Sequence, residues 1–198
     1  MTKIAILGWG SLLWDKNKAQ QKFDKHHGPW KFDGPVLKLE FSRKSRKRLN
    51  ALTLVIDPVR GEACKVAYAL SKRRTVEKAL ADLQEREETG PRSIGCVFTD
   101  GSRRQGRDAD SVAVILLWAK AASLDVVLWT DLPSHFDHVP KNEFVKGAVD
   151  HVQRLPTEAK AMAAEYVWRA PAFIVTPLRT ALQAKPWFKK PAANTPPS

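Results

Sequence analysis

Apolar positions along this chain follow two spacings, and the change between them divides it. Short, largely apolar or alternating runs come first. Lys3 to Leu7, Leu37 to Phe41, Leu52 to Ile56, Ala63 to Ala69 and Ile94 to Thr99 each read as a strand, and Asp57-Pro58 with Arg60-Gly61 marks a turn between two of them. From Thr75 the spacing becomes helical. Val76, Ala79, Leu80 and Leu83 share one face, Thr75 is a natural N-cap, and Gly90-Pro91 ends the element. Ser111 to Ser123 is ambiguous, since its β-branched residues favour a strand; its length and alanines favour a helix behind an Asp110 or Ser111 cap, and a helix is expected. A short strand follows at Val126 to Trp129. Helices are then expected over Lys141 to Arg154, with apolar residues at 144, 145, 148, 149 and 152, and over Thr157 to Arg169. The polar linker DGSRRQGRDAD, starting at Asp100, is the expected boundary, which gives a core over 1–104, a mostly helical extension over 105–183 and a flexible, proline-containing tail over 184–198.

Composition narrows the setting. At 198 residues and 43% hydrophobic, the chain can bury one sizeable core. Its first apolar stretch imitates a signal peptide, but Gly8, Gly10 and Ser11 interrupt it before any cleavage-site pattern, so it is expected to be mature structure. The long apolar run from Ser111 to Trp129 contains Lys120 and Asp125, so no membrane span is expected. Cys64 and Cys96 are the only cysteines and have no C-x-x-C spacing; neither a zinc ribbon nor a disulfide framework is indicated, and a cytoplasmic location follows as the expectation. The formal charge of +12 is concentrated in SRKSRKRLN (Ser42 to Asn50), SKRR (Ser71 to Arg74), RRQGR (Arg103 to Arg107) and KPWFKK (Lys185 to Lys190). Such runs attract phosphates and small anionic substrates alike, or simply solvate loops, and no nucleic-acid-binding motif accompanies them.

The stretch that carries chemistry is I-L-G-W-G-S-L-L-W, residues 6 to 14, where the first strand runs into two glycines, a tryptophan and a serine. A dinucleotide fingerprint would require Gly at position 13, which is Leu13. Gly8 and Gly10 instead let the backbone N–H groups that follow the strand approach a ligand closely, which outlines an anion or oxyanion cradle over Gly8, Trp9, Gly10, Ser11 and Leu12. A tight turn around a core tryptophan is the plainer alternative. Near the end of the first helix, Glu87 continues the stripe of Val76, Leu80 and Leu83 while Glu85 points away. An inward carboxylate at the negative end of a helix, with Glu85 and Glu88 nearby, has its pKa raised and suits a general base near neutral pH. The alternative is that the last turn frays and its acids are solvated. His135-Phe136-Asp137-His138 lacks a third ligand at a recognised spacing, so no metal is expected. Both cysteines, and Trp118, Trp129 and Trp168, sit in apolar stretches and are expected in the core.

The opening I-L-G-W-G-S-L-L-W resembles the strand-to-loop opening of the γ-glutamylcyclotransferase superfamily, most closely its ChaC-like branch. Gln84-Glu85-Arg86-Glu87-Glu88 stands at the place of that family's glutamate-bearing helix end. The resemblance covers roughly residues 3 to 100. Trp9 replaces the family's usual tyrosine, and Glu88-Thr89-Gly90-Pro91 departs from its pattern after the glutamate. The resemblance implies an α+β fold built on a small mixed β-barrel, with flanking helices and a C-terminal helical extension. It also implies an enzyme that cyclises a γ-glutamyl amide, amine or peptide to 5-oxoproline without metal or organic cofactor. Glu87 is then the general acid/base, and the Gly8 to Leu12 loop binds substrate. A non-catalytic module that uses its basic surface for nucleic acid or an acidic partner is the alternative, because a scaffold does not confer activity.

Overall fold

The computed structural model describes residues 2–191, and its strands form two sheets. The larger sheet is mixed and five-stranded. It contains β1 (Ile4–Gly8), β5 (Ala67–Leu70), β6 (Ile94–Phe98), β7 (Arg104–Gln105) and β8 (Val126–Thr130), in the order β5-β1-β8-β6-β7. The smaller is antiparallel, with β2 (Val36–Ser45) between β3 (Ala51–Ile56) and β4 (Glu62–Lys65). Six α-helices occur among the described residues: α1 (Lys18–Asp24), α2 (Val76–Glu87), α3 (Ala109–Ala121), α4 (Lys141–Arg154), α5 (Thr157–Arg169) and α6 (Pro177–Gln183). The architecture is α+β, as expected, but among the described residues the strands do not close into one barrel.

The unbroken apolar runs have a simple cause. Along β1, Ala5 and Leu7 enter one buried cluster while Ile4 and Ile6 enter another on the opposite face. In β8, Val127 and Trp129 alternate in the same way with Val126 and Leu128. These two parallel strands are covered on both faces, so neither face can be polar. The smaller cluster is sealed by Ala79 and Leu83 of α2 and Phe23 of α1, and the larger one fills the space towards the second sheet and α3 to α6.

Several expectations are corrected. The strand expected over Ala63 to Ala69 is two strands in different sheets, because the chain turns from one to the other at Val66, whose N–H donates to Pro35 O at 3.0 Å. The linker after Asp100 is a connection within one sheet, since β8, beyond it, lies between β1 and β6. α6 begins at Pro177, within the extension expected over 105–183, and its Thr176 cap accepts from Arg179 N–H at 3.2 Å. Phe188, in the segment expected to be flexible, is buried in the larger core, and positions 192–198 of that segment lie outside the described residues. The cap of α3 is Asp108, not Asp110 or Ser111. No helix among the described residues is long and apolar enough to cross a membrane.

One edge of the larger sheet gathers the loops that matter. β1 and β8 run parallel and end there, at Gly8 and Thr130, and antiparallel β6 starts there, Ile94 pairing with Thr130. The turn after β1, the end of α2 and the segment after β8 therefore emerge side by side.

Candidate functional site

A cavity of about 620 Å³ opens at this edge. Trp9, Gly10, Ser11 and Leu12 contribute one wall, Arg86 and Glu87 come from the end of α2, Tyr166 comes from α5, and the basic stretch Arg43 to Arg48 contributes the rest of the lining that matters here. Sequence and topology together explain the convergence. A bulge between Glu40 and Arg43 bends β2, and the three-residue helical turn Arg46–Arg48 then carries its cations over the cavity.

Four of the five expected loop residues meet here, and one does not. Gly8 is outside the cavity lining; a Cβ there would come within 2.8 Å of the Trp30 ring, so the absence of a side chain serves packing rather than ligand approach. Trp9 is only 6% exposed and forms part of the core, with its indole N–H donating to Leu54 O at 3.3 Å. Gly10 is required by Tyr166, whose hydroxyl occupies the position a Cβ would need. Ser11–Leu13 make a short helical turn, closed by Leu13 N–H to Gly10 O at 3.0 Å and Trp14 N–H to Ser11 O at 3.2 Å. The amides of Ser11 and Leu12 open that turn and take no part in its internal bonds.

Glu87 lies in the last turn of α2, and its side chain is 17% exposed. Glu85 turns away to Lys22, as the helical spacing predicts. Burial is the main cause that pushes the Glu87 carboxyl above its ordinary value; Arg86 and Lys47 oppose the rise, Asp15 adds to it, and Arg43 opposes it. The carboxylate neighbour that raises it is thus Asp15. Glu85 and Glu88, expected to contribute, each pair with a lysine: Lys22 for Glu85 and, at 2.8 Å, Lys47 for Glu88. Glu88, in the left-handed conformation at φ 48°, ends the helix and accounts for the sharp exit that leaves Glu87 at its rim.

Three residues of this site carried no legible signal in the sequence. Arg86 is 7% exposed; it donates to Gln20 Oε1 and lies 3.5 Å from both Ser11 Oγ and Asp15 Oδ2, so it ties α2 to the turn after β1. Gln20, 1% exposed, completes the tie by donating to Leu12 O at 3.0 Å. Tyr166 is 5% exposed, and burial and then Glu87 push its phenol upward, so it stays a neutral donor; the backbone at Leu54 and Ser11 hydrogen-bonds its oxygen. The Arg48 guanidinium lies 5.0 Å from the centre of the Tyr166 ring. Tyr166 belongs to the buried stripe Ala159, Ala163, Tyr166 and Val167, and a tyrosine in such a stripe, needing a partner for its hydroxyl, is the one available hint.

His135 Nδ1 accepts from Lys44 N–H at 3.1 Å, and no group of three or more metal-binding side chains occurs among the described residues. Comparison with protein-family models, with curated proteins and with solved structures gives no match for this chain.

Proposed function

We propose that this chain is a γ-glutamylcyclotransferase-like enzyme that cyclises a small anionic γ-glutamyl compound to 5-oxoproline and releases its amine. The observation that carries the proposal is Glu87, a carboxyl raised by burial at the rim of the same cavity that the Trp9 to Leu12 turn lines. In the reaction, Glu87 takes a proton from the α-ammonium of the glutamyl group. The freed amine attacks the γ-carbonyl, forming the lactam C–N bond, the C–N bond to the leaving amine breaks as Glu87 returns the proton to it, and the extra proton on the lactam nitrogen passes to the released amine, which departs as an ammonium ion. Atoms balance without a covalent enzyme intermediate. The cavity's main tasks are to fold the substrate into contact geometry and to hold the developing oxyanion. Leu12 N–H, at the start of its turn, and the neutral Tyr166 phenol beside Gly10 are suited to that second task. Tyr166 also places a phenol next to the turn whose own aromatic residue, Trp9, lacks one.

The basic run Arg43 to Arg48 lines this cavity and does not form a separate face, which favours a small anion over a nucleic-acid strand as the ligand. Two open sheets with a site at a common edge are compatible with the mixed barrel of the resembled family, opened at Val66. The test is release of 5-oxoproline from a panel of γ-glutamyl amines, amides and peptides. Turnover of at least one member, lost in Glu87→Gln, supports the reading; an unreactive panel, or a variant as active as the parent, removes it. Salt-sensitive retention on RNA or DNA, indifferent to Glu87→Gln, would favour the binding-module alternative.

A further inference from the structure

The cations of the cavity are not equivalent. Arg86 is held by Gln20 and Asp15, Arg48 lies 3.8 Å from Asp15 and 3.9 Å from Glu165, and Lys47 pairs with Glu88 at 2.8 Å. Arg43, half-buried in the same lining, takes part in none of the ion pairs among the described residues, and the same holds for Lys44 and Arg46; of these three, Arg43 alone faces a second side-chain donor. Its side-chain neighbour is His135, whose Nε2 lies 3.5 Å from Arg43 Nη1.

That contact does not satisfy either group. His135 Nδ1 accepts the Lys44 backbone N–H at 3.1 Å, so the ring proton resides on Nε2. Guanidinium nitrogens donate and never accept. Two N–H donors therefore lie 3.5 Å apart with no protein acceptor bridging them among the described residues. Thr130 Oγ1, a buried hydroxyl without a hydrogen-bond partner, belongs to a residue lining the same cavity. Burial first, and then Arg107, weaken the hold of Arg43 on its proton; Glu87 opposes them, and Arg46 acts in the same direction as Arg107.

We propose that Arg43 and His135 form an oxyanion-binding subsite, in which a carboxylate or phosphate oxygen of the ligand accepts from Arg43 Nη1 and His135 Nε2 together. Such an oxygen supplies the acceptor that both donors lack and a counter-charge for Arg43. The subsite is a property of the cavity and holds whether or not lactam formation is the reaction catalysed there.

Calorimetric titration of the full chain with inorganic phosphate and, separately, acetate, at constant ionic strength set with sodium chloride, tests it. Saturable binding is expected for at least one anion. Phosphate alone points to a phosphorylated ligand, and both point to an oxyanion of either kind. Arg43→Gln should weaken binding at least tenfold and His135→Ala several-fold, while Lys146→Gln, which removes an exposed charge elsewhere, leaves it unchanged. Glu87→Gln should retain binding, so failure of the subsite and failure of the cyclisation reading are read separately. No saturable binding by either anion, or equal weakening in Arg43→Gln and Lys146→Gln, overturns the proposal. If Arg43→Gln does not fold, His135→Ala at the exposed rim decides it: unchanged affinity there is equally fatal.

Discussion

Glu40 offers the sharpest test of the energetics. It is fully buried on β2, and its carboxyl accepts from Thr176 Oγ1 at 2.6 Å, Phe41 N–H at 2.8 Å and Leu178 N–H at 3.3 Å, which locks the second sheet to the start of α6. Burial outweighs those bonds and pushes its pKa from 4.5 to about 7. The native state thus holds a proton that the unfolded chain releases between these values, so this group's stabilising contribution is complete below about 4.5 and is lost as pH rises through about 7. At 1.36 kcal/mol per unit, the loss amounts to about 3 kcal/mol. Glu40→Gln removes the titration but keeps an acceptor for Thr176 and Phe41. Urea unfolding of both proteins between pH 4 and 9 is the assay, and the difference in their stabilities is the observable, since it cancels every other titrating group. The variant should gain on the parent by about 3 kcal/mol between pH 4.5 and 8, with the change centred on the acid side of neutrality. A difference that stays flat across this range would refute the reasoning.

Other outcomes follow from the site. Gly10→Ala drives a Cβ into the Tyr166 hydroxyl and should cost about 1–3 kcal/mol in urea unfolding, part of which Gly10→Ala/Tyr166→Phe recovers; additive single effects would contradict the contact. Arg86→Met strands Gln20 and Asp15 and should destabilise by about 3 kcal/mol, whereas a change below about 0.5 kcal/mol would show that the tie between α2 and the turn after β1 is immaterial. Because the Glu87 pKa is raised on folding, its stabilising contribution is lost as pH rises, and Glu87→Gln should unfold at a higher temperature than the parent at pH 8 but not at pH 4; a variant less stable at pH 8 would contradict this sign.

Much of the fold is legible in the chain because local pattern and tertiary environment agree. Helices α4 and α5 fall on the expected Lys141 to Arg154 and Thr157 to Arg169, and Thr75 caps α2 as its position suggests. Ser111 to Ser123, ambiguous by composition, is helical because the chain must cross over from β7 to β8, which run the same way on either side of β6, with Ile115 and Ala119 turned into the core. What the pattern misses is decided by single contacts. Asn17, whose side chain accepts from Gln20 N–H at 2.8 Å, starts the unexpected α1, and Thr176-Pro177 starts α6, a cap followed by proline at the first helical position that is readable in retrospect. The split at Val66 is marked in the sequence only by Lys65, a charged residue that an exposed strand end accommodates as readily as a turn. In the site, helical spacing alone places Glu87 inward and Glu85 outward. Gly8 reads as part of the ligand loop because a glycine beside a strand end looks the same in sequence whether a ligand or a tryptophan ring approaches it. Arg86 and Tyr166 depend on partners more than sixty residues away in the chain.

The claim on which the functional account stands is that Glu87 is a desolvated carboxyl poised to exchange a proton at the cavity rim. Carbon-13 NMR of the glutamate side-chain carboxyls, with the Glu87 resonance assigned from its loss in Glu87→Gln, measures this in the unmodified protein. The account predicts that this resonance titrates above the ordinary glutamate range while that of exposed Glu85 does not. A Glu87 resonance that titrates at or below the ordinary value would contradict it.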